Sequence, residues 1–319
     1  MQALQFSSTG NLDALALRDL PVPKISADEV LVQVRAAGMN PSDLKNVLGR
    51  FPYTTLPRTP GRDFAGVIVE GPGQWLGREV WGSGKGFGFT RDGSHAEYLT
   101  LPIEEITIKP QALSFAQAAS CGVPYITAWD ALERAAVGAA TSLLIMGFGA
   151  VARAAYDFAK IRGARTIVAV RRDEQVALLR AQGIETIQLQ SPEPFRAALN
   201  AVFPEGPEVI LESTGHLLPV AIDVLKTFGR IAVIAAPPNG LVETPVLSLY
   251  RRGGSIVGTN TLLYSGKDGA RLLDQIAQHF DSGALPPPAD FMEQPLDQAL
   301  AVYRAVNAGS SEKIVFNMG

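Results

Sequence analysis

The stretch SLLIMGFGAVARAAYDFAKIRG (142–163) decides the fold. It opens as a short apolar run, turns on two closely spaced glycines, and continues as an alanine-rich segment closed by Gly163. That order predicts a buried strand, a tight turn and a helix ending on a glycine. Gly147, Phe148, Gly149, Ala150 and Val151, followed by Ala152, read GxGxxA. The first glycine permits the turn, the second admits a pyrophosphate against the backbone, and Ala152 keeps the helix close to the sheet. Amides at the start of the helix then hold the phosphates. Such a turn on its own is equally a packing device, so the surrounding pattern carries the assignment.

Downstream the rhythm repeats. TIVAV (166–170), ETIQL (185–189), EVILEST (208–214), RIAVIAA (230–236) and GSIVGTNTLL (254–263) are apolar strand runs. Helical stretches RDEQVALLRAQG (172–183), PEPFRAALNAVF (194–203) and LLPVAIDVLKTFG (217–229) alternate with them. Strands alternating with amphipathic helices imply βαβ units and a parallel sheet buried on both faces. Upstream the pattern differs. EVLVQVRAAG (29–38), GVIVEGPG (66–73), REVWGSG (78–84), AEYLTLP (96–102) and EITIKP (105–110) are short runs punctuated by Gly and Pro, which predicts an antiparallel β unit. Between the two, SFAQAASCGVPYITAWDALERA (114–135) has helical spacing that Gly122 and Pro124 are expected to interrupt. RLLDQIAQHFDSG (271–283) and LDQALAVYRAVNAG (296–309) predict two more helices, and KIVFNM (313–318) a last strand.

Composition bounds the function. A length of 319 residues suggests about two domains, at ~150 residues each. Lys and Arg total 28 against 31 Asp and Glu, a net charge of −3, so no basic field recruits nucleic acid. Hydrophobic residues make up 47% and charged residues 18%, enough for a core and too little charge for a disordered chain. The single cysteine, Cys121, excludes an intrachain disulfide and any zinc site built from several thiolates. It is read as a small packing residue. No apolar run reaches the ~20 residues of a membrane span, and no secretory signal is visible, so a cytoplasmic location is expected.

The nucleotide is read at the end of the second strand of the alternating region. An Asp or Glu there, ~20 residues beyond the glycine turn, accepts from a ribose 2′-hydroxyl. This chain has Arg171 and Arg172, whose forked guanidiniums suit a 2′-phosphate. NADP(H) is therefore favoured over NAD, with Asp173 left as a ribose partner in the alternative reading.

AAGMNPSDLKNVLGRFP (36–52), LPRTPGRDFAGVIVEGPG (56–73), DGSHAEYLTLP (92–102) and YITAWDAL (125–132), together with the glycine turn, resemble the medium-chain dehydrogenase/reductase superfamily, in its zinc-independent, zeta-crystallin-like quinone oxidoreductase branch. The resemblance spans essentially the whole chain. It implies an α/β fold: a doubly wound Rossmann domain over 116–265 that binds NADP(H), and a GroES-like β-barrel domain from 1–115 and 266–319. The superfamily's zinc enzymes carry Cys where this chain has Asn40, and His-Glu where it has Arg62-Asp63, so no metal is expected. His95, His216 and His279 are expected as ordinary surface or loop histidines rather than ligands.

The resemblance also distributes roles. It places Asn40 beside the nicotinamide and Thr127 at its ribose–phosphate end. Asp43 would brace the turn carrying Asn40, or form a plain Asx-type turn. Ser213 and Thr214, then Ala235, Ala236 and Pro237, then Asn260 and Lys313, are carried over as positions facing the dinucleotide. Phe51, Tyr53, Tyr125 and Tyr264 would line the substrate pocket, with Asn40 and Tyr53 as catalytic candidates and solvent as an alternative proton source. Gln175 and Gln190 stand where relatives often have a lysine and a tyrosine, leaving Arg171 and Arg172 alone for the 2′-phosphate. The expected activity is hydride transfer from NADPH to a quinone or α,β-unsaturated carbonyl. The alternatives are an enoyl-thioester or haloacrylate-type reductase, and a non-catalytic NADPH-binding structural or RNA-associated protein. The exposed apolar edge of strand 254–263 predicts a homodimer.

Overall fold

The computed structural model describes all residues, 1–319. In chain order its main elements are β1 (Gln2–Phe6), β2 (Leu15–Asp19), β3 (Glu29–Gly38), α1 (Pro41–Val47), β4 (Asp63–Glu70), β5 (Glu79–Ser83), β6 (Tyr98–Pro102) and α2 (Phe115–Arg134). These are followed by β7 (Ser142–Met146), α3 (Ala150–Ile161), β8 (Arg165–Val170), α4 (Asp173–Ala181), β9 (Thr186–Gln188), α5 (Pro192–Val202), β10 (Val209–Glu212), α6 (Leu218–Val224), β11 (Arg230–Val233), α7 (Val246–Arg252) and β12 (Ser255–Gly258). The chain closes with α8 (Gly266–Asp281), β13 (Met292–Pro295), α9 (Ala299–Asn307) and β14 (Ile314–Asn317). Two compact units result, one of residues 1–126 with 262–319, the other of 127–261. The first division falls inside α2, a continuous helix, not ahead of it at residue 115.

Residues 127–261 form the α/β unit. Its strands are too short and too apolar to alternate, so both faces need cover. Leu144, Met146, Ile167, Ile210 and Ile231 from the sheet pack with Phe195, Leu199 and Ile222 from the helices. The sheet order is β12-β11-β10-β7-β8-β9, every pair parallel. Consecutive strands run outward from β7 on one side and from β10 on the other. That reversal opens a crevice at the carboxyl ends of β7 and β10, where open α/β sheets bind ligands. The strand expected over 254–263 is shorter: β12 ends at Gly258 and Thr261–Leu263 is a 3₁₀ turn. β12 is the edge of the sheet, as expected.

Residues 1–126 and 262–319 form the β-rich unit. The ten-residue β3 organises it, pairing antiparallel with β4, β6 and β14, while β13 runs parallel to β14. Val30, Val32, Val34, Phe64, Val80 and Leu99 fill one core, and Leu4, Phe6, Leu44, Tyr303 and Phe316 another. The expected strand at 105–110 does not form: only Ile108 bridges, to Val80, after the 3₁₀ turn Ile103–Glu105. The hairpin of β1 and β2 turns through Ser7-Ser8-Thr9-Gly10-Asn11, with Gly10 at φ +109°, and was not among the expected elements. No helix is long and apolar enough to cross a membrane.

Candidate functional site

The β-rich unit brings distant segments together by register. Gly38 stands opposite Asp63 in the β3–β4 pair and opposite Val315 in the β14–β3 pair. The residues just beyond these positions, Asn40 and Lys313, therefore meet Asp63. Asn40 Nδ2 donates to Asp63 Oδ2 at 2.7 Å, and Lys313 Nζ donates to Asn40 Oδ1 at 2.9 Å and to the Met39 carbonyl at 3.0 Å. The Lys313 ammonium is also 3.8 Å from Asp63 Oδ2. Pro41 begins α1, and the Asn40 amide donates to Asp43 Oδ2 at 2.8 Å, so Asp43 does brace the turn carrying Asn40. Burial, then the neighbouring Asp63, raises the Asp43 carboxyl to about 7, with Arg62 and Lys313 opposing.

Gly122 and Pro124 do not interrupt α2. Pro124 lacks an N–H, and the neighbouring Val123 N–H donates to Asp63 Oδ1 at 2.9 Å. A Cβ on Gly122 would clash with the same oxygen. The Gly-Val-Pro step is thus the seat of the Asp63 carboxylate. Cys121 beside it is fully buried, its thiol donating to the Gln117 carbonyl and its pKa pushed up by burial.

His95 departs from its expected place. It is buried, not a surface or loop histidine. Its Nδ1 lies 3.0 Å from the Tyr303 hydroxyl and its Nε2 3.4 Å from the Gly38 carbonyl, while Phe316 packs edge-on at 4.8 Å. Burial lowers its pKa to about 3, so the ring is neutral. His216 is exposed, and His279 lies on the last turn of α8. The chain holds no group of three or more His, Cys, Asp or Glu placed to hold a metal ion.

Phe51, Tyr53 and Phe89 form an aromatic wall in the same unit, with ring centroids 5.0 to 5.9 Å apart. Its loop is tied down: Thr54 Oγ1 donates to Asn46 Oδ1, Asn46 Nδ2 to the Gly88 carbonyl, and the Thr55 amide to the Phe89 carbonyl. Tyr53 is 50% exposed, whereas Tyr125 is buried and stacks on Phe280 at 5.4 Å. Tyr264 is half-buried, just ahead of α8.

The α/β unit carries the glycine turn. Gly147 has φ +86°, and a Cβ there would lie 2.7 Å from Ser213 Oγ and 3.0 Å from Thr214 Cγ2. Gly149 is the N-cap of the twelve-residue α3, and a Cβ there would meet nothing within 4 Å. Open space at a helix N-terminus fits a pyrophosphate, which the backbone amides and helix dipole would hold. Phe148 is buried beneath the Arg153 guanidinium, and Ala150 and Val151 are half-buried. Glu212, fully buried, accepts from the amides of Thr214 and Gly215 and so shapes the turn after β10. Sequence reasoning missed that brace; a carboxylate ending an apolar strand just before Ser-Thr-Gly was its only signal. Ala235 and Pro237 are half-buried and Ala236 and Asn260 exposed past the ends of β11 and β12, while Thr127 is buried. Arg171 and Arg172 are exposed and form no ion pair, and Asp173 accepts from Gln188 Nε2.

Comparison with known proteins fits both units. Residues 26–111 match the alcohol dehydrogenase GroES-like domain and residues 150–278 the zinc-binding dehydrogenase family. A zinc-type alcohol dehydrogenase-like protein of Schizosaccharomyces pombe is 34% identical over 84% of this chain and 81% of its own. The 2-methylene-furan-3-one reductase of Solanum lycopersicum is 33% identical over 84% of this chain and 70% of its own, and the quinone oxidoreductase of Homo sapiens 30% over 84% and 82%.

The chain belongs to the medium-chain dehydrogenase/reductase superfamily.

Among solved structures, an alcohol dehydrogenase superfamily protein from Novosphingobium aromaticivorans superposes with a TM-score of 0.88 at 26% identity, each chain covered completely. The GroES-like and Rossmann-type units are those of this superfamily, and its quinone oxidoreductase branch is where the chain resides. This medium-chain dehydrogenase/reductase is an oxidoreductase.

Proposed function

We propose that this oxidoreductase transfers hydride from NADPH to a quinone or an α,β-unsaturated carbonyl without a metal. The observation that carries the reading is the closed set around Asn40. Its carboxamide, the Asp63 carboxylate and the Lys313 ammonium are spent on one another, which leaves no anionic or imidazole set for zinc. An acceptor that spreads charge onto its own oxygen needs no Lewis acid. Two relatives are a quinone oxidoreductase and a 2-methylene-furan-3-one reductase by name, which supports that substrate class.

In this reading the glycine turn, Ser213, Thr214, Ala235, Ala236, Pro237, Asn260 and Thr127 hold the dinucleotide, and Arg171 and Arg172 receive its 2′-phosphate. Reduced nicotinamide, when bound, supplies the hydride. Asn40, fixed by Asp63 and Lys313, orients it; Phe51 and Tyr53 offer a flat apolar face to the acceptor. Lys313 contributes through Asn40, its ammonium being already committed. The test is turnover of quinones and enones with NADPH preferred to NADH; binding of NADPH without oxidation by any acceptor would overturn it. A homodimer joined at β12, where Ile256 is exposed, accompanies this reading. Monomeric sedimentation at micromolar concentration would contradict it.

A further inference from the structure

Arg62 is the one group of the cluster whose chemistry is unspent. It is only 4% exposed, yet its Nε has no hydrogen-bond partner. No carboxylate pairs with it: the ion pair of Asp63 runs to Lys313, and Asp43 accepts from the Asn40 amide. A guanidinium carries five N–H donors and no acceptor, and it keeps its charge. Burying such a cation with donors unmet costs several kcal/mol unless an acceptor arrives. Asp63 and Asp43 offset part of the burial through space, without a direct bond. An unmet buried group in a folded protein calls for an explanation, and a ligand that supplies the acceptor is one.

The surroundings say which acceptor fits. The backbone just ahead of Arg62 abuts the loop of the aromatic wall: a Cβ on Gly88, next to Phe89, would lie 3.1 Å from the Gly61 nitrogen, and Phe89 packs with Phe51 and Tyr53. Burial raises the Tyr53 hydroxyl pKa, with the Arg62 cation opposing. A buried cation beside flat aromatic rings suits a planar conjugated molecule that bears an oxygen at its edge. Lys313, the other cation of the cluster, already donates to the Met39 carbonyl and Asn40 Oδ1.

We propose that Arg62 receives the carbonyl oxygen of the substrate and stabilises the negative charge that develops on it. The assignment deepens the reductase reading and rests on it. In the step it serves, a hydride from reduced nicotinamide forms a C–H bond at the β-carbon. The π pair of the carbon–carbon double bond shifts toward the carbonyl, whose oxygen becomes an enolate held by Arg62. Water then protonates the α-carbon. The substrate gains one hydride and one proton, the nicotinamide is oxidised, and Arg62 keeps its own protons throughout.

The experiment uses 4-nitrophenol as a planar oxyanion mimic, titrated by absorbance against the full-length protein and its R62K and R62M variants. Wild type is expected to bind phenolate over phenol at least tenfold, lowering the bound probe's apparent pKa by about one unit. R62K keeps part of that preference and R62M loses it, with melting temperature confirming that each variant folds. R62M should also lose on the order of 10²-fold in kcat for an enone, with little change in KM. Equal binding of the two forms by wild type, or an R62M titration that matches wild type, would overturn the assignment. Should R62M not fold, an R62K titration identical to wild type in the probe's pKa, with kcat also unchanged, overturns it as well. Wild-type failure on every quinone and enone, with the phenolate preference intact, would overturn the reductase reading and leave Arg62 as an anion-binding group.

Discussion

Lys313 Nζ lies 2.9 Å from Asn40 Oδ1, although 273 positions separate the two residues in sequence. The β14–β3 register brings them together, and the contact fixes which way the Asn40 carboxamide points. With its oxygen facing the ammonium, its nitrogen must face Asp63. Lys313→Met leaves the fully buried Asp63 without its cation, and breaking such a pair costs about 3–5 kcal/mol. Urea unfolding should show that loss, with part recovered in the K313M/D63N double variant. Additive losses in the double variant would mean that the pair is not coupled.

Two buried groups give opposite pH dependences. Asp43 titrates at about 7 folded against ~3.9 unfolded, so between those values the folded chain binds more protons, and stability falls as pH rises. His95 titrates at about 3 folded against ~6.5 unfolded, so the unfolded chain binds more protons there, and stability falls as pH drops. Relative to wild type, D43N should therefore gain stability steadily from pH 4 to 8. The deficit of H95Q should shrink from pH 7 to 4. Urea unfolding across that series checks both, and curves parallel to wild type would refute the assignments.

Gly147 and Gly149 should respond differently to alanine. Gly147→Ala meets a positive φ and the Ser213 hydroxyl at 2.7 Å, so it should destabilise the free protein by more than ~1 kcal/mol. Gly149→Ala meets open space at an ordinary φ of −88°. Its melting temperature should match wild type without nucleotide, while NADPH affinity falls about tenfold or more as the methyl fills the phosphate cradle. Thermal melts with and without NADPH separate the two effects.

Arg171 and Arg172 are exposed and free of ion pairs, so removing both should leave the fold intact. Each charge-assisted bond to a 2′-phosphate contributes about 1.5–3 kcal/mol. The double alanine variant should therefore weaken NADPH on the order of 10²-fold or more and NADH hardly at all, as read by titration. An equal loss for both nucleotides would place the arginines elsewhere.

The α/β unit was largely legible in the sequence because its strands and helices differ in period and its turn needs glycine at Gly147. The β-rich unit was less so. At Gly122 and Pro124 the residues do signal a helix break, but the Asp63 carboxylate takes up the Val123 amide and the helix continues. That bond depends on a residue 60 positions away. His95 sits in a polar stretch, and only the return of Tyr303 and Phe316 from the far end of the chain buries it. Run 105–110 has strand composition, yet only Ile108 finds a bridging partner. Asn40 and Asp63 could be named from resemblance; that Lys313 locks them together, and that Arg62 is left out, depends on long-range register.

Metal-free hydride transfer can be tested directly by turnover after removal of metal. The protein is dialysed exhaustively against a chelator, and loss of reduced-nicotinamide absorbance is followed with NADPH and a panel of quinones and enones. Undiminished turnover of at least one acceptor, unaffected by added zinc, is the predicted result. Turnover abolished by the chelator and restored by zinc would contradict the account.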